Sequence, residues 1–128
     1  MTSSPPEGDA LAELREQLRT FARDRDWEQF HTPKNLAMAL AGEVGELLEI
    51  FQWLTPEQAA SVMSSDRTDD VRDELADVLI YLVRLADVLD VDLAEVARGK
   101  MARNHDRFPH AEVRGRADHR PSDRGPAT

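Results

Sequence analysis

The stretch Pro33–Leu54, PKNLAMALAGEVGELLEIFQWL, decides the fold. Leu36, Leu40, Leu47 and Leu54 recur at spacings of four and seven. At ~100° per residue they line up as one apolar stripe, which is the signature of an amphipathic helix. Thr32 before Pro33 supplies an N-cap followed by the residue best suited to the first helical position. Glu43 falls in the middle of the leucine stripe. Glu46 lies roughly 60° to one side, near Ala39 and Ile50, and Glu49 lies on the opposite face. One helix therefore turns two acids toward the interior and one toward water. Gly42 and Gly45 each cost roughly 1 kcal/mol against Ala inside a helix. They flank the acids and leave room for a ligand or for tight packing of another helix.

Outward from this stretch the period stays helical. Leu11, Leu14, Leu18 and Phe21 predict a first helix over about 9–25. Asp26–Thr32, DWEQFHT, breaks the period. Thr55-Pro56-Glu57-Gln58 reads as a capping box opening a short helix to about Ser64, and Ser65–Thr68 as a turn. A long helix follows over about 69–89. Asp92-Leu93-Ala94-Glu95 is a second capping box, and its helix runs to about Arg107, where Phe108-Pro109 ends it. No segment alternates like a strand. The fold class is all-α, a helical bundle of four to five helices over residues 9–109. Residues 1–8 read as a flexible leader. Residues 110–128, rich in Arg, Asp, Pro, Gly and Ser, read as a disordered tail.

Composition limits the chemistry. The chain has 128 residues, 41% apolar and 32% charged, with no cysteine. Disulfides, thiolate metal sites and cysteine nucleophiles are excluded, and a cytoplasmic location is expected. No apolar run approaches the ~20 residues a membrane helix needs, so no membrane partner is expected. The net charge is −9, and the acidic excess lies before residue 110. Such a surface repels a nucleic-acid polymer. An anionic ligand is compatible with it only where a cation intervenes.

The long helix repeats the acidic arrangement. Its expected stripe is Val71, Leu75, Val78, Leu82, Leu85 and Leu89, with Glu74 at the border and Asp77 and Tyr81 following at i+3 and i+7. Asp73 and Asp87 are expected to face away. Each long helix thus carries an acidic pair beside its buried face, Glu43/Glu46 and Glu74/Asp77. Burying four carboxylates together demands compensation. An all-oxygen donor set suits a hard cation, Mg²⁺ or Mn²⁺. The competing readings are surface acids on a non-enzymatic helical nucleotide-binding or protein-interaction module, and a di-iron carboxylate bundle. The latter requires Glu-x-x-His pairs, which these four positions lack.

Three segments, taken in order, match a known pattern. They are Trp27-Glu28-Gln29-Phe30-His31-x-Pro33-Lys34-Asn35-Leu36, then Gly42-Glu43-Val44-Gly45-Glu46-Leu47-x-Glu49-x-Phe51-Gln52-Trp53, then Asp73-Glu74-Leu75-Ala76-Asp77-Val78-Leu79-Ile80-Tyr81-Leu82. With Lys100-Met101-x-x-Asn104-x-x-Arg107-Phe108-Pro109 they resemble the MazG-like, all-α nucleoside triphosphate pyrophosphatases, most nearly the dCTP pyrophosphatase branch. The resemblance covers roughly residues 11–109. It implies Mg²⁺-dependent hydrolysis of a nucleoside triphosphate, dCTP or a modified dCTP, to the monophosphate and pyrophosphate, as nucleotide-pool housecleaning. It implies Glu43, Glu46, Glu74 and Asp77 as metal ligands. Trp27, Glu28, Gln29, Phe30, His31, Trp53 and Tyr81 become contacts to base and sugar. It also implies a homodimer or homotetramer whose subunits complete each other's sites.

Within that reaction Glu46 is the candidate to orient or deprotonate the attacking water. Lys100 and Arg107, with Asn104 one turn from Lys100, are candidates to neutralise the phosphates. Favourable placement near a helix C-terminus accounts for the two cations equally well. Phe21, Phe51 and Phe108 are expected in the core, and His105, His110 and His119 on the surface. There is one departure. Vertebrate members of the branch place a histidine nine residues before the Trp of WEQFH, and this chain has Leu18 there. The loop after Trp53 is also shorter.

Overall fold

The computed structural model describes residues 7–117, with side chains from residue 10. Six helices occupy these residues: α1 Glu7–Asp24, α2 Pro33–Phe51, α3 Pro56–Ala60, α4 Thr68–Val88, α5 Leu93–Arg107 and α6 His110–Val113. Short 3-10 turns cover Glu28–Phe30 and Val62–Ser64, and no strand occurs among the described residues. The all-α expectation holds. Among the described residues no helix is long and apolar enough to cross a membrane. The chain falls into two compact units, one ending at Leu93 and the other beginning at Ala94, so α5 of the expected 9–109 domain lies in the second.

Local chemistry sets the boundaries. The Thr32 hydroxyl accepts from the Asn35 amide at 3.2 Å, with Pro33 at the first helical position of α2. Thr55 and Gln58 exchange both bonds of the capping box, at 3.1 and 3.0 Å. The helix expected to run from there to Ser64 instead breaks at Ser61. The Ser61 hydroxyl donates to the Glu57 carbonyl and that of Ser65 to the Val62 carbonyl, so side chains compete with the ladder and leave a 3-10 turn.

α1 and α4 end alike. Asp26 and Asp90 adopt left-handed backbone, φ 54° and 57°. The next amides, Trp27 and Val91, reach back to the carbonyls of Ala22 and Ala86, both at 2.8 Å. Short polar side chains tolerate this conformation, which ends each helix sharply.

Two expectations at the ends need correction. α1 begins at Glu7, inside the expected leader, and residues 1–6 lie outside the described residues. The tail does not start disordered, because the chain beyond Pro109 re-forms one helical turn as α6. Residues 118–128 lie outside the described residues.

In the first unit α2 and α4 pack along their length and α1 lies against α4. Ile50 near the end of α2 meets Val71 near the start of α4, so the two helices run antiparallel. Val62 joins them in the core, with Phe51 and Leu54 packed against it. Ala22, Leu36, Val83 and Ala86 are also buried, drawn from α1, α2 and α4.

The expected stripe on α4 is only partly the buried one. Val71 is buried and Val78 and Leu85 are half-buried, but Leu75, Leu82 and Leu89 are exposed, and Val83, Arg84 and Ala86 are buried in their place. α4 is apolar over more than one face, and within the chain α1 and α2 cover only part of it. Phe21 is likewise exposed rather than in the core, with the Arg25 guanidinium 3.6 Å above its ring. Phe51 and Phe108 are half-buried.

Candidate active site

The antiparallel register of α2 and α4 sets one turn of α2 beside one turn of α4. There Glu43, Glu46 and Glu74 each offer a carboxylate oxygen, all within 4.8 Å of one another. Glu43 and Glu74 are half-buried, whereas Glu46, expected to turn inward, is exposed at the rim. One oxygen of Glu43 and one of Glu74 are buried with no hydrogen-bond partner. Asp77 is half-buried one turn further along α4 and lies outside this three-acid group. Glu49 and Asp73 are exposed, as their helical phase requires.

Three carboxylates this close repel each other. The Glu74 carboxyl is pushed up to about 7. The leading cause is the hydrogen bond a protonated Glu74 makes to Glu43, followed by burial and by the hydrogen bond and charge of Glu46. A proton on Glu74 is one way to relieve the site. A divalent cation is the other, and it satisfies the two orphaned oxygens as well. Among the described residues none of these acids forms an ion pair with Lys or Arg, so the donor set fits a hard cation.

Gly42 and Gly45 are exposed, and a Cβ built on either meets nothing within 4 Å. The packing of another helix of this chain therefore does not explain them, and the space stays open beside the acids. Gly42→Ala should stabilise the folded chain by about 1 kcal/mol, the helix-propensity difference, read as a shift in urea midpoint. A destabilised variant would show that the glycine backbone is needed for the fold itself.

The aromatic segment lies after α1. The sharp end at Asp26 places Trp27 edge-on to Phe21, centroids 5.7 Å apart, and edge-on to His31 at 6.4 Å. Glu28, Gln29 and Phe30 form the exposed 3-10 turn, where the Gln29 amide donates to the Asp26 carbonyl at 3.0 Å and the Asn35 side chain donates to the Phe30 carbonyl at 3.0 Å. Trp53, just beyond α2, is 85% exposed. Tyr81 is half-buried on α4, two turns from Glu74 on the same edge. Lys100 and Arg107 are exposed and Asn104 is half-buried on α5, in the second unit, where Arg107 stacks over Phe108 at 5.5 Å. His105 and His110 are exposed, and His119 lies outside the described residues.

Sequence reasoning misplaced Asp87, expected to face solvent. Its side chain is 7% exposed and accepts the fork of Arg19 from α1, with Nε at 2.8 Å, and Arg84 Nη1 at 3.1 Å. Arg84 in turn donates from Nε to Nδ1 of His31 at 3.0 Å. Arg84 lies at i+7 from Asp77, on the same edge of α4 as the acids and Tyr81. A lone arginine between Val83 and Leu85 was the available signal.

The chain is similar to known proteins. The MazG-like family profile matches residues 39–117. The dCTP pyrophosphatase 1 of Bos taurus is 46% identical over 108 residues, covering 84% of this chain and 64% of its own length. Its Homo sapiens counterpart is 48% identical over 100 residues, covering 77% and 59%. The chain therefore spans less than two thirds of these curated relatives. A pyrophosphatase crystal structure from Archaeoglobus fulgidus superposes with a TM-score of 0.75 at 39% identity, over 85% of this chain and 98% of that one.

Proposed function

Because this chain belongs to the MazG-like family, we propose that it hydrolyses a nucleoside triphosphate, dCTP or a modified dCTP, to the monophosphate and pyrophosphate. The observation that carries the reading is the group of three convergent carboxylates with two buried, unpartnered oxygens. Glu43, Glu46 and Glu74 would hold a divalent cation, Mg²⁺ or Mn²⁺, with Asp77 as a fourth ligand. When bound, the cation offsets the negative charge of the triphosphate and withdraws electrons from the α-phosphorus.

The chain's own groups supply the rest. Glu46, the exposed member at the rim, orients the attacking water and takes its proton. The new bond forms at the α-phosphorus, the bond to the bridging oxygen breaks, and pyrophosphate leaves with that electron pair. Trp27, the Glu28–Phe30 turn, His31, Trp53 and Tyr81 hold base and sugar. By the family resemblance, Lys100 and Arg107 of α5 are the candidates to neutralise phosphate charge, in this copy or another, and Asn104 to donate a hydrogen bond. The exposed Leu75, Leu79 and Leu82 of α4, with Val44 and Leu48 of α2, support association with further copies as a homodimer or homotetramer.

Isothermal titration with Mg²⁺ and a non-hydrolysable dCTP analogue tests the reading against a protein-interaction module. The enzyme reading predicts binding that requires both ligands, and no heat from either order of addition supports the rival. Base preference is decided by a panel of canonical and modified triphosphates assayed for pyrophosphate. Stacking on an indole is worth ~1–3 kcal/mol per base, so Trp53→Ala should raise KM by about tenfold or more with kcat little changed. An unchanged KM places that indole outside the nucleotide site.

A further inference from the structure

We propose that Arg84 is a positioning residue for nucleotide recognition, fixing His31 as a neutral ring that meets the nucleoside with Nε2–H as a hydrogen-bond donor. The inference rests on the reading above that the Trp27–His31 segment holds base and sugar.

The geometry is a relay across three elements. Arg19 of α1 forks onto both oxygens of Asp87, and Asp87 also holds Nη1 of Arg84. Arg84 is 8% exposed, so its guanidinium is pinned by packing as well as by the ion pair. Its Nε–H, which cannot be deprotonated, is aimed at Nδ1 of His31 at 3.0 Å. A donor at Nδ1 forces that nitrogen to be the acceptor, which leaves the ring proton on Nε2.

The charged groups of the relay are Arg84 and Asp87 on α4 and Arg19 on α1, where Glu16 pairs with Arg19, with Arg15 acting on Asp87 and Asp90 on Arg19. The guanidinium next to the ring, that of Arg84, opposes its protonation. Burial first, then the charge of Arg84, hold His31 below the usual histidine range. Trp27 packs edge-on against the ring and limits its rotation. The placement suits a nucleoside: at 1.5 Å rise per residue Arg84 stands ~10 Å along the edge of α4 from Asp77, the scale of the step from a nucleotide's phosphate to its base. A fixed donor selects an acceptor on the ligand, such as O2 or N3 of a cytosine.

The test combines ring-nitrogen NMR of the full chain with steady-state kinetics. Two-bond ¹H–¹⁵N correlations of the wild type should show His31 as the Nε2–H tautomer at pH 7, protonating only below the usual histidine range. In Arg84→Met the ring should sample both tautomers and protonate at higher pH. KM for the nucleotide should rise about tenfold, the scale of one hydrogen bond, with kcat within a few-fold. Arg84→Met should add little on top of His31→Ala, because both remove the same contact. Arg84→Lys, which keeps a cation against Asp87 and a donor toward the ring, should recover most of the KM loss. If Arg84→Met does not fold, the wild-type spectrum and Arg84→Lys still decide the outcome. An Nδ1–H or protonated wild-type ring, or additive effects of Arg84→Met and His31→Ala on KM, overturns the proposal. Absence of triphosphate hydrolysis by the wild type would instead overturn the reading it rests on, while the spectrum still reports the Arg84–His31 contact.

Discussion

Glu43→Gln should abolish cation-dependent pyrophosphate release while raising the thermal stability of the metal-free chain. Glutamine keeps the size of the side chain but removes the negative charge that holds a cation. Losing a ligand carboxylate forfeits several kcal/mol of charge stabilisation, so the rate should fall at least about a hundredfold. The same change relieves the repulsion among Glu43, Glu46 and Glu74, whose oxygens lie within 4.8 Å of one another. Activity and stability therefore move in opposite directions, which a general folding defect does not produce. Circular dichroism, a melting curve and a pyrophosphate assay read all three. Glu74→Gln should behave alike. Wild-type rates in both variants would remove the metal site from the account.

The second large effect is on the pH dependence of the metal-free chain and its reversal by cation. Glu74 is raised from 4.5 to about 7 in the folded state. A carboxyl raised on folding binds its proton more tightly in the native state. Its stabilising contribution is present below about 4.5, declines as the pH rises toward 7, and is gone above that. Asp87 has the opposite sign. Hydrogen bonding from Arg19 lowers it, so its contribution holds above 3.8 and is lost only on further acidification. Between pH 5 and 8 Glu74 therefore removes stability as pH rises, while His31, held below its usual range by burial, adds it, so the Glu74 contribution is read as the wild-type curve minus that of Glu74→Gln.

Mg²⁺ should restore it, by about 2.7 kcal/mol at a hundredfold excess over its Kd. Binding at pH 6 displaces the Glu74 proton and binding at pH 8 does not. Apparent affinity should accordingly be higher at pH 8, and titrations at pH 6 in two buffers of different ionisation heat should report proton release. A wild-type curve whose difference from Glu74→Gln does not fall between pH 5 and 8, or Mg²⁺ binding without proton release at pH 6, contradicts this arrangement.

Much of this was legible because the relevant signals are local. The period of Leu36, Leu40 and Leu47 and the caps at Thr32 and Thr55 depend on neighbours within one turn, and the structure reproduces them. The helical phase of Glu43 and Glu74 brings them together across α2 and α4. What was not legible depends on partners far along the chain. Asp87 looks solvent-facing by phase alone, and only the docking of α1 brings Arg19, 68 residues away, onto it. Arg84 looks like an interruption of an apolar run until His31, 53 residues away, is seen to accept from it. The face of α4 carrying Leu75 and Leu82 reads as core because apolar spacing alone does not show which of its faces α1 and α2 leave uncovered.

The acids of α2 and α4 are proposed to serve cleavage at the α-phosphorus of a nucleoside triphosphate. Incubating the chain with dCTP and Mg²⁺ and resolving the products by anion exchange tests it most directly. The account predicts dCMP and pyrophosphate in equal amounts, dependent on the cation and lost in Glu43→Gln. Release of dCDP and orthophosphate, or equal turnover with the cation chelated, would contradict it.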